Sequence, residues 1–383
     1  MWGRQAGLLG IALLGWGTAT AAGADDWVGS QQYRQVAVSL LAVGLFSSTH
    51  GIDPVEVRSN RRLILTAVTI GVLVKAALIA TTMVVVFGRP EYLLLGVAVA
   101  QVDPLSVAAA RDRSRMSERA KAVMGAWASF DDPMTVLISF YCLDLTAGLT
   151  GSASSLPRGE RDWTVLHLGV DLLLNLLLVV GASLVWHLLR TSPGLFNNRR
   201  EPTLLRDAVQ VAALAVLVVT AIHWSLFLGL AVTGLFFRPR RIGSLARIST
   251  ACLVLATFGL GMVLVHGISP FEGAVLGVAA FCAHAVTALG LTRGGRPRGG
   301  TGARAPRYGR DDRGRLALGQ QNGITAIILA LVLEIDFPGT VAAVAPAILL
   351  VNLVHGASNA LWDRWGDSVP DAGRARSAGR PAQ

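Results

Sequence analysis

Charge is scarce in this chain. Of its 383 residues only 15% are Asp, Glu, Lys or Arg, while 52% are hydrophobic. That is far more apolar surface than a soluble core of this length would bury, so lipid must be part of the solvent. Cysteine is scarce too. Cys142, Cys252 and Cys282 sit singly inside apolar runs without CxxC or other metal-ligand spacing. They read as small packing residues, and they leave the redox compartment open. No nucleotide-binding glycine loop, zinc motif or Ser/His/Asp arrangement in a credible context occurs, which argues against ATP-driven pumping, a cofactor or enzyme chemistry. A soluble domain with its own core is also missing.

Basic residues, by contrast, are in excess, giving a formal net charge of +10. They lie between the hydrophobic runs. That is a pattern of membrane topology and not of a nucleic-acid face, so no nucleic-acid partner is expected.

A membrane helix needs roughly 17 to 25 mainly apolar residues. Such runs fall near residues 6–22, 35–50, 63–87, 91–110 and 118–147, then near 163–189, 204–221, 222–238, 245–266, 270–292, 315–334 and 338–361. The expected fold is an all-α membrane protein of about 12 transmembrane helices within residues 1–362. Two runs admit another reading. The short basic start, Gly7 to Trp16 and the small residues to Ala24 also resemble a secretory signal. Ala208 to Phe237 is long for one helix and short for two, and a tight turn at Ile222, His223 and Trp224 would divide it. The Gly-, Arg- and Pro-rich stretch 293–314 predicts a disordered cytoplasmic loop, and residues 363–383 a cytoplasmic tail.

Alternate loops hold 29 of the 34 Lys and Arg residues, the opposite loops hold four, and Lys75 alone falls inside a span. The positive-inside rule therefore puts both termini in the cytoplasm of a cell membrane. With that orientation the spans divide into inverted repeats at about 6–147 and 222–361, joined by linker helices at about 163–221. Transporters built this way bind their substrate where one helix of each half is broken near mid-membrane.

Spans 4 and 11 are both interrupted. Span 4 contains Gln101-Val102-Asp103-Pro104, and span 11 contains Gly319-Gln320-Gln321-Asn322-Gly323. Proline removes a backbone donor and glycine weakens a helix, so each break exposes peptide groups that hydrocarbon cannot satisfy. The bland alternatives are a helix cap near a membrane surface for Asp103 and an interhelical hydrogen-bond cluster for the amides.

Span 5 carries the adjacent acids Asp131 and Asp132, followed by Pro133. One aspartate near the bilayer centre costs about 2.5 to 3.5 kcal/mol on insertion scales, so a pair implies a use. The alternative is a break at Pro133 that lets the acids reach a surface. Monovalent cations prefer oxygen ligands, and a carboxylate in a dry but water-reachable cavity can hold either a proton or a cation. Mutually exclusive occupancy suffices for exchange. Adjacent acids also crowd one another and titrate in two macroscopic steps.

At these residues the chain resembles the cation/proton antiporter superfamily, the sodium/proton exchangers and their relatives. Members carry Thr-Asp-Pro on a broken fourth helix and Asn-Asp or Asp-Asp on the fifth. Here Val102-Asp103-Pro104 and Asp131-Asp132 fill those places, and Ser225 to Gly234 and Arg315 to Gly319 resemble the eighth and eleventh helices. The resemblance implies a core of spans 3 to 5 and 10 to 12 moving against a scaffold that often forms a homodimer. It implies Asp132 as the main ion carboxylate, Asp131 as its partner and Asp103 as the balance for helix-end charge. It implies a monovalent cation, Na+ or K+, and protons as substrates, exchanged by alternating access.

There are departures. Val102 replaces the threonine, Trp127 stands where many exchangers place an acid, and Ile268 to Leu291 has no Lys or Arg where a cation is usual. Lys75 could pair with Asp131 or Asp132 and replace that cation, or it could line water or reach a carbonyl. His223, His266, His284, Asn352 and His355 are assigned no site, and Glu272, Glu334 and Asp336 are expected at the outer surface, as a solvated rim or a cation funnel. The rival functions are a sodium-coupled organic-anion symporter whose sodium sits at Gln320-Gln321-Asn322, and a transport-inactive sensor homologue.

The charge partition makes one expectation directly measurable. Cysteines introduced at Gly299 and Ser368 should react with impermeant reagents only from the cytoplasmic side, and labelling from outside intact cells would overturn the topology.

Overall fold

A computed structural model of the chain describes residues 2–23, 27–50, 61–111, 114–150, 165–191, 203–238, 245–293 and 308–368. Every long regular element among them is helical. Long unbroken apolar runs leave that outcome, because a helix satisfies its peptide groups within one segment.

The first two runs form α1 (Trp2–Ala22) and α2 (Gln31–His50). The third begins as α3 (Arg61–Thr66), passes through a π-helical turn (Ala67–Gly71) and continues as α4 (Val72–Phe87). Gly88 ends α4. It takes the left-handed region (φ 69°) and its N–H closes on the Val84 carbonyl at 2.8 Å, a geometry that glycine adopts without a Cβ penalty. The fourth run is interrupted as expected, giving α5 (Tyr92–Ala98) and α6 (Pro104–Ala110). The fifth is one helix, α7 (Glu118–Thr150), which continues through Pro133.

After α8 (Val165–Thr191), the run from 208 to 237 divides into α9 (Thr203–His223) and α10 (Phe227–Gly234). Ser225, at φ 56°, makes the turn between them. At eight residues α10 is about 12 Å long, against a hydrocarbon thickness of about 30 Å. The span expected over 222–238 is thus a shorter helix than its apolar run. Next come α11 (Leu245–Val263), a 3-10 turn (Leu264–His266) and α12 (Pro270–Arg293). The eleventh run is again two pieces, α13 (Arg310–Ala317) and α14 (Ile324–Leu333), and α15 (Thr340–Ser368) completes the fold. Among the described residues five helices are long and apolar enough to cross a membrane by length and composition.

Two expected boundaries shift. Of the stretch 293–314, residues 294–307 lie outside the described residues, but α13 already begins at Arg310. Asp311 and Asp312 favour its positive N-terminal end, and Arg315 Nε reaches Asp311 at 2.9 Å one turn on. Likewise α15 runs to Ser368, past the expected tail boundary at 363, while residues 369–383 lie outside the described residues. Trp362 Nε1 donates to Asp311 at 2.7 Å and Arg315 pairs with Asp363 at 2.7 Å, so α13 and α15 hold each other.

At the centre lies α14, all of whose residues are buried. A helix apolar on every side belongs in the middle of a bundle. It packs against α2, α11 and α15, while α4 packs on α5 and α12, and α12 on α15. Glu334, expected at a solvated rim, is buried at the end of α14. Its two oxygens accept the Gly339 and Val341 N–H groups at 2.8 and 2.6 Å and so cap the start of α15.

The α1/α11 contact depends on two glycines. A Cβ on Gly15 would meet the Phe258 carbonyl, and one on Gly261 the Ala12 carbonyl, so backbones touch where side chains would otherwise stand. Gly261→Leu should therefore cost about 1 to 3 kcal/mol of stability through overpacking. Gly7→Leu, with nothing within 4 Å of its Cβ, should cost nothing measurable. Thermal unfolding in detergent checks both, and equal midpoints would show that the helices simply part.

Candidate functional site

The two interrupted runs meet. Asp103 N–H donates to the Gln321 carbonyl at 2.8 Å, joining the break between α5 and α6 to the one between α13 and α14. Around this link several of the exposed peptide groups find particular partners. Gln320 Nε2 donates to the Val99 and Gln101 carbonyls at 3.3 and 2.8 Å. Asn322 Nδ2 donates to the same two at 3.0 and 3.3 Å. The amides expected at the crossing therefore close the C-terminal end of α5, and Gln101 Nε2 adds a bond to Ala98 O at 3.2 Å. Gln321 acts through its backbone, and its side chain lines a pocket of about 150 Å³ shared with α6, α7, α13 and α15.

Asp103 does the opposite work. Its side chain accepts the Ser106 N–H at 2.9 Å and also the Ser106 hydroxyl, capping α6 with Pro104 in the first turn. A Cβ on Gly323, which caps α14, would run into the Asp103 carboxyl group. One buried carboxylate thus faces the positive N-terminal ends of two helices. It is a helix cap, but it stands deep in the protein.

Asp131 and Asp132 are both fully buried, and Pro133 does not carry them to a surface. Successive residues on a helix point about 100° apart, so the two carboxyls face different neighbours. Asp131 Oδ2 pairs with Lys75 Nζ at 2.5 Å and accepts the Val102 N–H at 2.9 Å. Asp132 Oδ2 accepts the Thr325 hydroxyl at 2.7 Å. The second oxygen of each acid is buried with no hydrogen-bond partner among the described residues. Lys75, also fully buried, is the charge partner of Asp131.

Several participants were not legible as such. Thr325 follows the second break by two residues and supplies a hydroxyl where Val102 has none, though Val102 contributes its N–H. Asn352, assigned no site, accepts the Asn322 N–H at 3.1 Å and donates to the Asn322 carbonyl at 2.9 Å. His284 Nε2 lies 3.0 Å from the Leu316 carbonyl, and His355 Nδ1 lies 2.7 Å from that of Leu318. These two satisfy the C-terminal end of α13.

With this geometry in hand, comparison with known proteins is specific. The family described as sodium/hydrogen exchanger, transmembrane, matches residues 8–358. The chain belongs to that family. It is a multi-pass membrane protein of a transporter family. Among solved structures it is similar to the sodium proton antiporter MjNhaP1 from Methanocaldococcus jannaschii at pH 8, with a TM-score of 0.65. Identity is 13%, and the match covers 91% of each chain, which is likeness of fold. No curated protein matches by sequence.

In this sodium/hydrogen exchanger family member, the crossing depends on amides whose loss should be measurable. The double variant Gln320→Ala/Asn322→Ala removes both side-chain donors to the Val99 and Gln101 carbonyls, and each unsatisfied buried group costs about 1 to 3 kcal/mol. Its thermal midpoint in detergent should fall clearly, and more than that of Asn359→Ala, because Leu318 O keeps the His355 bond there. Equal midpoints would show that water substitutes freely at the crossing.

Proposed function

We propose that this protein exchanges a monovalent cation, Na+ or K+, for H+ across a cell membrane by alternating access, with Asp132 as the shared cation and proton site. The observation that carries this reading is the asymmetry of the acid pair. Asp131 has a cation beside it in Lys75, whereas among the described residues Asp132 has the Thr325 hydroxyl on one oxygen and no hydrogen-bond partner on the other. A buried charge needs compensation. Asp132 obtains it from a bound cation or loses the charge to a proton, and the two states exclude each other. Asp131 modulates the site, and Asp103 supports the crossing.

In the same reading, about 12 spans form two inverted five-helix repeats, with both termini cytoplasmic. A core of spans 3 to 5 and 10 to 12 moves against a scaffold that forms a homodimer. The symporter alternative has less support, because two of the three amides it would use for sodium already bond the backbone of the other break. The amide nitrogens of Gln320 and Asn322 point at the Val99 and Gln101 carbonyls, so the cluster serves the backbone.

The test is cation-triggered proton release from proteoliposomes, with sodium, potassium and lithium added separately. Asp132→Asn keeps the shape but removes the titratable charge. Exchange should fall at least about 100-fold, the equivalent of about 3 kcal/mol at a buried charge. Asp131→Asn should retain exchange with weaker apparent cation affinity, because Lys75 is then left to compete for Asp132. Wild-type rates in a folded Asp132→Asn protein would falsify this assignment.

A further inference from the structure

Two departures from the exchanger pattern touch one another. Trp127 occupies the place of an acid, and the helix that usually supplies a cation carries His284 instead. Their rings stack, with centroids 5.0 Å apart and planes inclined by 30°. His284 is itself fixed by its contact at 3.0 Å with the Leu316 carbonyl. Both side chains are buried, and the indole is held in one orientation by a neighbour that cannot easily turn.

Lys75 stands beside this stack. Its ammonium lies 5.6 Å from the Trp127 ring centroid while it pairs with Asp131 at 2.5 Å. Trp127 and Asp131 are four residues apart on α7, so ring and carboxylate share one face a single turn apart. A lysine head is a point charge on a flexible stem, and the face of an indole attracts it most strongly where water is excluded. The ammonium therefore has two acceptors within reach of its last torsions. One is a carboxylate that a transported cation can also use. The other is a ring that offers a small ion no oxygen ligand.

We propose that Trp127 is a positioning residue that holds the charged head of Lys75 when a transported cation bound at Asp132 also draws on Asp131 as a ligand. The cation then displaces an ion pair, and Lys75 keeps its proton throughout. This rests on the exchange reading above and adds to it the place where the displaced ammonium goes.

The test is sodium binding to purified protein by calorimetry, with lithium and potassium as comparison ions, alongside KM and kcat for exchange. Trp127→Leu should weaken sodium binding and raise KM about 10-fold with kcat little changed, as expected for a desolvated cation–π contact. Trp127→Phe keeps a ring face and should restore most of the affinity, separating the effect from loss of fold. In a Lys75→Met background, Trp127→Leu should change sodium binding no further, because the ring then has no ammonium to hold. Unchanged binding in the single Trp127→Leu variant overturns the proposal. So does an equal loss in both backgrounds, which would make the ring a packing element. A wild-type protein that binds none of the three ions removes the exchange reading itself, and this proposal with it.

Discussion

Hydrocarbon offers a peptide group nothing to bond to, and the arrangement around the two broken helices follows from that. Interrupting α5/α6 and α13/α14 frees carbonyls at one end of each break and N–H groups at the other. The carbonyls of Val99 and Gln101 meet amides from the opposite break, and those of Leu316 and Leu318 meet imidazoles. The N–H ends instead face the Asp103 carboxylate. Neutral donors suffice at the C-terminal ends, where partial negative charge is spread over carbonyls. A full negative charge is used at the N-terminal ends, where two helices converge.

That division explains how the chain does without a Lys or Arg between Ile268 and Leu291, before the last turn of α12. A lysine there could neutralise helix C-termini and a carboxylate together. Here the two jobs are separated. Gln320, Asn322, His284 and His355 serve the carbonyls, and Lys75, arriving from α4, serves Asp131. The π-helical turn at Ala67–Gly71 lies one turn before Lys75. An extra residue in a helical turn rotates everything beyond it, and π-bulges of this kind often aim side chains at functional sites.

Much of this was legible along the chain. Apolar runs gave the helices, and Pro104 and Gly323 marked the breaks. Two acids deep in an apolar run marked the candidate site, because such acids are costly to bury. Pairing was harder to read. Lys75 and Asp131 are 56 residues apart in sequence, Asp132 and Thr325 193 apart, and no local pattern encodes which face of α7 meets which helix. Thr325 looked like any small polar residue in an apolar helix. Glu334 was misread as a rim group because an acid after an apolar run usually reaches water, whereas here the next helix bends back to bond it. The shortness of α10 was hidden for a related reason. Residues beyond Gly234 remain apolar, as the burial of Phe237 shows, although the helix has ended.

The acid pair finally shows why adjacency matters more than number. Two carboxyls one turn apart would share a face of α7 and compete for the same partner. Adjacent ones diverge, so Asp131 is engaged by the first break and α4, and Asp132 by α14 beyond the second break. Each acid thereby reports on a different part of the fold, while both remain close enough for the charge on one to affect the other. Pro133 adds to this. Lacking an N–H, it leaves the Ser129 carbonyl without its helical donor, just before the acids. The result is oxygen-rich polarity in the middle of α7: a freed carbonyl and, without a partner among the described residues, one buried oxygen of each carboxyl group and the buried Thr135 hydroxyl one turn on. Oxygen atoms left over at a dry crossing, beside the Lys75 ammonium, are the chemistry that a small hard cation requires.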